Sequence, residues 1–187
     1  IQYLGPTTRI RARAADGTGI GDAELSVELH HIVVAGLIVW ADLAALLLEL
    51  DRHPAVRAKL EAEVAAAAPA AIDAGALRRL PYLHQVVLEV KRVAPIVPVF
   101  FGRARRDFDL EGRRISQGRM VLWSHRTSLL SPSIFPEPEK FDPDRFSPER
   151  AEHLRHPFGY APQGAGPANG HKCPGIDFAT LLMSVFA

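Results

Sequence analysis

The sequence predicts a mainly helical fold with a small β-sheet, an α+β arrangement, and three observations predict it. Helical periodicity fills the first half of the chain. It gives way after Pro95 to the two-residue alternation of short strands. Five prolines between Pro132 and Pro148 then exclude any long element before a last apolar segment at helical spacing.

The first helix is expected over "ELHHIVVAGLIVWADLAALLLELDRHP", Glu28 to Pro54, after a charged, glycine-containing stretch, "RARAADGTGIGDAE". Its run from Ile32 to Leu50 approaches membrane-spanning length, but Asp42 within it and Glu49 near its end are costly in lipid. A helix buried on most sides, with no membrane span, is the expectation. Pro54 ends it or begins the next, the amphipathic "AVRAKLEAEVAAAA" with a solvated charged face. "AAAAPAA" reads as a loop. A third helix is expected through "GALRRLPYLHQVVLEVKRVAP", with Leu83, Val86, Val87 and Val90 on one stripe and Pro95 as its stop.

"VPVFFGRARRDFDLEGRRISQGRMVLWSHR" reads as several short strands, with turns at "LEGRR" and "SQGR". The proline-rich "SPSIFPEPEKFDPDRFSPER" predicts a packed, irregular excursion. The last helix is expected in "GIDFATLLMSVF". With Ile1 in place of an initiator and no polar finish after "FATLLMSVFA", the chain reads as part of something longer.

Composition narrows the function. A chain of 187 residues, 48% hydrophobic, buries roughly 70% of its unfolded surface. Lys+Arg 22 against Asp+Glu 21 creates no global field for nucleic acid or anionic lipid. One cysteine excludes an internal disulfide, and no charged-then-apolar leader suggests secretion, so a cytoplasmic compartment is expected.

That cysteine, Cys173, stands in "GHKCPG". Pro174 suits a first helical turn, which puts the sulfur at the N-terminal mouth of the last helix. Helix-end amides there favour a thiolate, the form that acts as nucleophile or metal ligand. The preceding "PQGAGPANGHK" carries Gly164 and Gly166, which let backbone approach a large flat group closely. His171 could donate to an anionic group on it. A buried structural cysteine is the bland alternative.

Three more features join it. Glu89 and Arg92 stand at i and i+3 on the third helix, so their side chains meet. Arg145, in "FDPDRF" between Phe141 and Phe146, could supply the extra hydrogen bonds that a buried Glu–Arg pair needs. Arg103 follows "PVFF" where a strand leaves the core.

Together these residues resemble the cytochrome P450 family along nearly the whole chain, read as one partial domain, 1–187, the C-terminal haem-binding half of that fold. "EVKR" resembles the family's Glu-x-x-Arg, "FDPDRF" its third-arginine segment, "HRTSLLSPSIFPEPEKF" the stretch between them, "VAG" the start of its central-helix signature and "GHKCPG" its haem-binding loop. The resemblance implies haem b with Cys173 as iron ligand. Arg103 and His171 would hold propionates, with Gly164, Gly166 and Gly175 beside the cofactor. Glu89, Arg92 and Arg145 would lock the architecture, and the aliphatic Ile96, Val97 and Val99 would line a pocket for a hydrophobic small molecule such as a fatty acid. Thiolate ligation favours O–O cleavage.

Two departures matter. Gly166 replaces the family's usual Phe seven residues before the ligand. After Ala35, Gly36 and Leu37 the family's acid and alcohol are replaced by Ile38 and Val39, which relay no proton. A peroxygenase, which "PQGAG" and "GHKCPG" also resemble, or a monooxygenase is therefore expected. The alternatives are a hydroperoxide-rearranging haem enzyme and a non-catalytic haem-binding remnant. A redox partner, or a second chain carrying the missing half, is the expected protein partner.

Other candidates are weaker. His30 or His31 could serve as a base near Ala35 but more often meets solvent. His153, His156, His171 and Cys173 fit no usual zinc spacing. "RARR", Arg103 to Arg106, could touch phosphate, though a solvated strand end is commoner.

Overall fold

The structure, a computed structural model, describes residues 18–19, 21–67, 73–167 and 172–187. It divides into two compact units, Ile1–Ile38 and Val39–Ala187. Helix α1, Asp22–Arg52, begins in the first unit and ends in the second. It starts six residues before the expected Glu28, because Asp22 and Glu24 place acid in the first turn, where the helix dipole favours it. Among the described residues it is the one helix long and apolar enough to cross a membrane.

In the first unit Ser26 donates to the Asp22 carbonyl at 2.7 Å, and His31 lies 3.9 Å from Glu28 with both side chains exposed.

In the second unit Val39, Asp42, Leu43, Leu46 and Leu50 form the buried stripe of α1, recurring every three or four residues as a helix face must. Pro54 opens helix α2, Pro54–Ala67. The single third helix expected from the sequence is two. Helix α3, Ala74–Arg78, is capped by Asp73, whose carboxylate accepts from Ala76 N at 2.7 Å; helix α4, Pro81–Val93, restarts with proline in its first turn. Leu80, at the cap of α4, has no side-chain acceptor. Glu63 of α2 replaces it, accepting from Tyr82 N at 2.7 Å and Leu83 N at 2.9 Å.

Helix α4 is the centre of the unit. Val86, Val87 and Val90 are fully buried against Leu46, Leu60, Leu83 and Met183, each such side chain contributing about 1.5–3 kcal/mol. Strand β1, Val99–Arg103, pairs antiparallel with β4, Met120–Ser124, in the register Val99–Ser124 through Arg103–Met120. Between them β2, Phe108–Leu110, and β3, Arg113–Ile115, form a hairpin. Its two turn residues, Glu111 at φ 47° and Gly112 at φ 75°, adopt the left-handed pair whose twist matches the strands. A short helix α5, His125–Leu129, follows, and the proline-rich run holds only 3₁₀ turns at Pro143–Phe146 and Glu152–Leu154. Helix α6 spans Ile176–Phe186.

Candidate haem-ligand loop and its buried support

Glu89, Arg92 and Arg145 are all 0% exposed and share one network. Arg92 grips the Glu89 carboxylate with two prongs, Nε to Oε2 at 2.6 Å and Nη2 to Oε1 at 2.8 Å. Oε1 also accepts from Asp142 N at 2.8 Å and Arg145 Nε at 3.3 Å. The remaining four Arg145 donors reach the carbonyls of Pro136, Glu137 and Lys140 and the Glu152 carboxylate, so all five are used. The Lys140 carbonyl takes a bond from each arginine.

Glu152, itself buried, is the partner that sequence reading missed. It balances the second guanidinium and is held from outside by Arg150, Nη2 to Oε1 at 2.7 Å. Two buried carboxylates therefore face two buried guanidiniums, the pairing that offsets desolvation.

This network continues toward Cys173. Phe146, next to Arg145, packs edge-on against Tyr160 at 5.1 Å, and the Tyr160 hydroxyl donates to the Leu88 carbonyl of α4 at 2.9 Å. Burial first, and the Glu89 charge next, keep that hydroxyl well above its usual pKa, so it stays a donor. The next carbonyl, Ala161, is bonded by His125 Nδ1. The His125 ring lies against Phe100 and Trp123, 4.2 and 4.3 Å away. Burial lowers the His125 pKa and outweighs the Ala161 bond, so the ring is a neutral donor through Nδ1. Two residues on, the Gln163 carbonyl accepts from Cys173 N at 2.9 Å. Three consecutive anchors thus tie the cysteine backbone to α4 and to the β1–β4 sheet.

The Cys173 thiol is free and exposed. Helix α6 begins at Ile176 rather than Pro174, with Gly175 as its cap, and a β-carbon built on Gly175 would lie 3.7 Å from Sγ. Gly164 and Gly166 both take positive φ, 83° and 94°; a β-carbon on Gly166 would meet nothing within 4 Å. An exposed sulfur on a loop whose glycines leave open space fits a large flat group whose metal takes a thiolate. His171 and Gly170 lie outside the described residues.

Arg103, exposed on β1, gives one bond to the Gly118 carbonyl at 3.1 Å and lines a shallow cleft of about 320 Å³ with Phe100, Phe101 and Trp123. Arg105 and Arg106 are exposed at the strand end. Ile96 is half-buried, and Val97 and Val99 are exposed. In α1, Ala35 and Ile38 are exposed and Gly36 half-buried, whereas Val39 belongs to the core. His30 and His31 are exposed. His153 packs on Phe146 and Tyr160, and His156 accepts from Phe158 N; among the described residues no three His, Cys, Asp or Glu side chains converge on a metal position.

Comparison with known proteins follows the same residues. The family model described as Cytochrome P450 matches residues 8–187. Cytochrome P450 4c21 of Blattella germanica is 34% identical over 178 residues, covering 89% of this chain and 33% of that protein. Sterol 14alpha-demethylase of Mycolicibacterium vanbaalenii is 35% identical over 161 residues, 84% of this chain and 34% of that protein. Retinoic acid-bound cyanobacterial CYP120A1 superposes with a TM-score of 0.84 at 30% identity, over 94% of this chain and 40% of the other. The chain therefore spans about a third of the length of the curated relatives it matches.

Proposed function

The chain belongs to the cytochrome P450 family, and we propose that it supplies Cys173 as the thiolate ligand of haem b in an enzyme that inserts oxygen into a hydrophobic small molecule. The observation that carries this reading is the exposed Cys173 thiol on a loop anchored to α4, whose buried Glu89–Arg92–Arg145 network fixes the loop's support. Such a ligand must be held still yet left accessible. When bound, the haem supplies oxygen activation, which an electron-donating thiolate favours.

The residues of this chain do the rest. Cys173 presents an exposed sulfur beside Gly175, and on the same loop Gly166 leaves open space where a side chain would otherwise stand. Arg103 offers an exposed guanidinium for a propionate. Ile96, Val97 and Val99 present aliphatic surface suited to an apolar substrate, a fatty acid being the simplest choice. Ile38 and Val39 stand where the family's acid and alcohol would be and hold no proton to deliver. That substitution favours hydrogen peroxide as oxidant: one substrate C–H and one peroxide become an alcohol and water, with no reductase electrons. The exposed apolar residues of α1, Ile32, Val33, Leu37 and Trp40 among them, call for cover by the family's upstream portion, on the same polypeptide or a second chain.

The test is the reduced, carbon monoxide-bound spectrum of the haem-loaded protein. A thiolate signature is expected, and Cys173→Ala abolishes it. Parallel incubation with peroxide, a fatty acid hydroperoxide, or an electron-donor system separates oxygen insertion from rearrangement and from reductase-driven turnover. Bound haem without turnover under any of them overturns the enzymatic reading.

A further inference from the structure

Lys91 lies between Glu89 and Arg92 in α4, yet takes no part in their network. Its side chain is only 3% exposed and points to α6, where Nζ donates to Thr180 Oγ1 at 2.8 Å. Thr180 is itself fixed, its carbonyl accepting from Ser184 Oγ at 2.8 Å. Opposite, Asp42 of α1 is 2% exposed and its Oδ2 has no hydrogen-bond partner among the described residues. An ammonium is among the least tolerable groups in such a place unless opposite charge compensates it. Burial lowers the Lys91 pKa, and the Asp42 carboxylate first, then the Cys173 sulfur in its thiolate form and Asp177, act against that. Of these, Asp177 is exposed at the start of α6 and Asp42 belongs to the core side, which leaves the Cys173 sulfur as the charge at the functional loop.

We propose that Lys91 is a positioning residue for the proximal ligand: an ammonium, clamped to α6 through Thr180, whose buried charge acts on the Cys173 thiolate and sets the reduction potential of the iron it holds. The proposal rests on the haem-thiolate reading above. A β-carbon on Gly175, the cap of α6, would lie 3.7 Å from the Cys173 sulfur, and Thr180 stands five residues further along, about 7.5 Å at the helical rise, so the clamp is about 10 Å from the sulfur. Across that distance a positive charge in a partly buried setting shifts an equilibrium that changes the charge at the iron by about tenfold. The added electron on ferric iron makes the site more negative, so a nearby cation stabilises the reduced form. Asp42, the buried carboxylate that acts on the same ammonium, has the opposite sign of effect.

The experiment is a spectroelectrochemical titration of the haem-loaded protein and three variants. Lys91→Met keeps the length and apolar stem of the side chain and removes the charge. Its ferric/ferrous potential is expected to fall by about the tenfold equivalent, about 59 mV for one electron. Lys91→Arg retains the charge and stays near the parent value. Asp42→Asn shifts the potential the other way, by less. A purely structural role for Lys91 would move Lys91→Met and Lys91→Arg alike and give Asp42→Asn no opposite sign. Equal potentials in the parent and Lys91→Met, with the thiolate carbon monoxide signature intact in both, overturn the inference and leave the haem-thiolate reading standing. Loss of that signature in the unaltered protein overturns both.

Discussion

The Tyr160 hydroxyl donates to the Leu88 carbonyl at 2.9 Å, one residue before Glu89. This single bond joins the loop that leads to Cys173 to the helix that carries the buried ion network. Tyr160→Phe removes the donor while keeping the ring against Phe146. The expected cost is about 1–1.5 kcal/mol, read as a lower urea midpoint with unchanged slope. Haem should also dissociate faster from this variant than from the parent, because the loop loses one of its three anchors. Unchanged midpoint and unchanged haem loss would show that the bond is idle.

Arg145 uses every donor it has, in a fixed planar fork, on two carboxylates and three carbonyls. A lysine at the same place brings the charge but three donors on a single nitrogen. Arg145→Lys should therefore destabilise by about 3 kcal/mol or more, close to the loss in Arg145→Met, and chemical denaturation checks it. A lysine variant close to parent stability would mean that charge alone, without the fork, holds Glu89 and Glu152.

Much of this was legible in the sequence, for identifiable reasons. Glu89 and Arg92 lie three apart on a strongly patterned helix, and Arg145 lies between two phenylalanines, so local spacing pointed to their meeting. Glu152 gave no such sign. It reaches Arg145 across a turn in which Ala151 takes a left-handed φ of 38°, and no periodicity foretells that reversal. The division of the third helix was foretold only by Pro81, which favours a first helical turn as much as it ends the helix before it. Asp42 was read as an argument against a membrane span. Its buried position beside Lys91 depends on α1, α4 and α6 packing together, which one segment's pattern does not contain. His171, expected from the resemblance to hold a propionate, lies outside the described residues.

Glu63 caps α4 from another helix, with one carboxylate oxygen on each of two free amides, Tyr82 N and Leu83 N. Those amides have no intrahelical acceptor and carry the positive end of the helix dipole. Glu63→Ala should cost about 1–2 kcal/mol. Glu63→Gln, which keeps one acceptor and loses the charge, should cost about half as much. Thermal melts of the two variants check the order, and a reversed order would remove the capping role.

Asp42 makes stability depend on pH in the sense opposite to that of an ordinary ion-paired carboxylate. Burial raises its pKa from 3.8 to about 6, and the Lys91 charge only partly opposes this. Between those two values the folded protein binds more protons at this site than the unfolded chain does. Stability therefore falls as pH rises through about 4 to 6, and is lowest, on this account, once the carboxylate is ionised. The span corresponds to about 2 kcal/mol after allowance for solvent screening. Asp42→Asn cannot ionise and removes that slope. Urea unfolding at pH 4 and pH 7 should show the parent losing about 2 kcal/mol more than Asp42→Asn between the two conditions. Parallel pH profiles for the two proteins would mean that Asp42 is ionised throughout, held so by the Lys91 ammonium more strongly than burial opposes it.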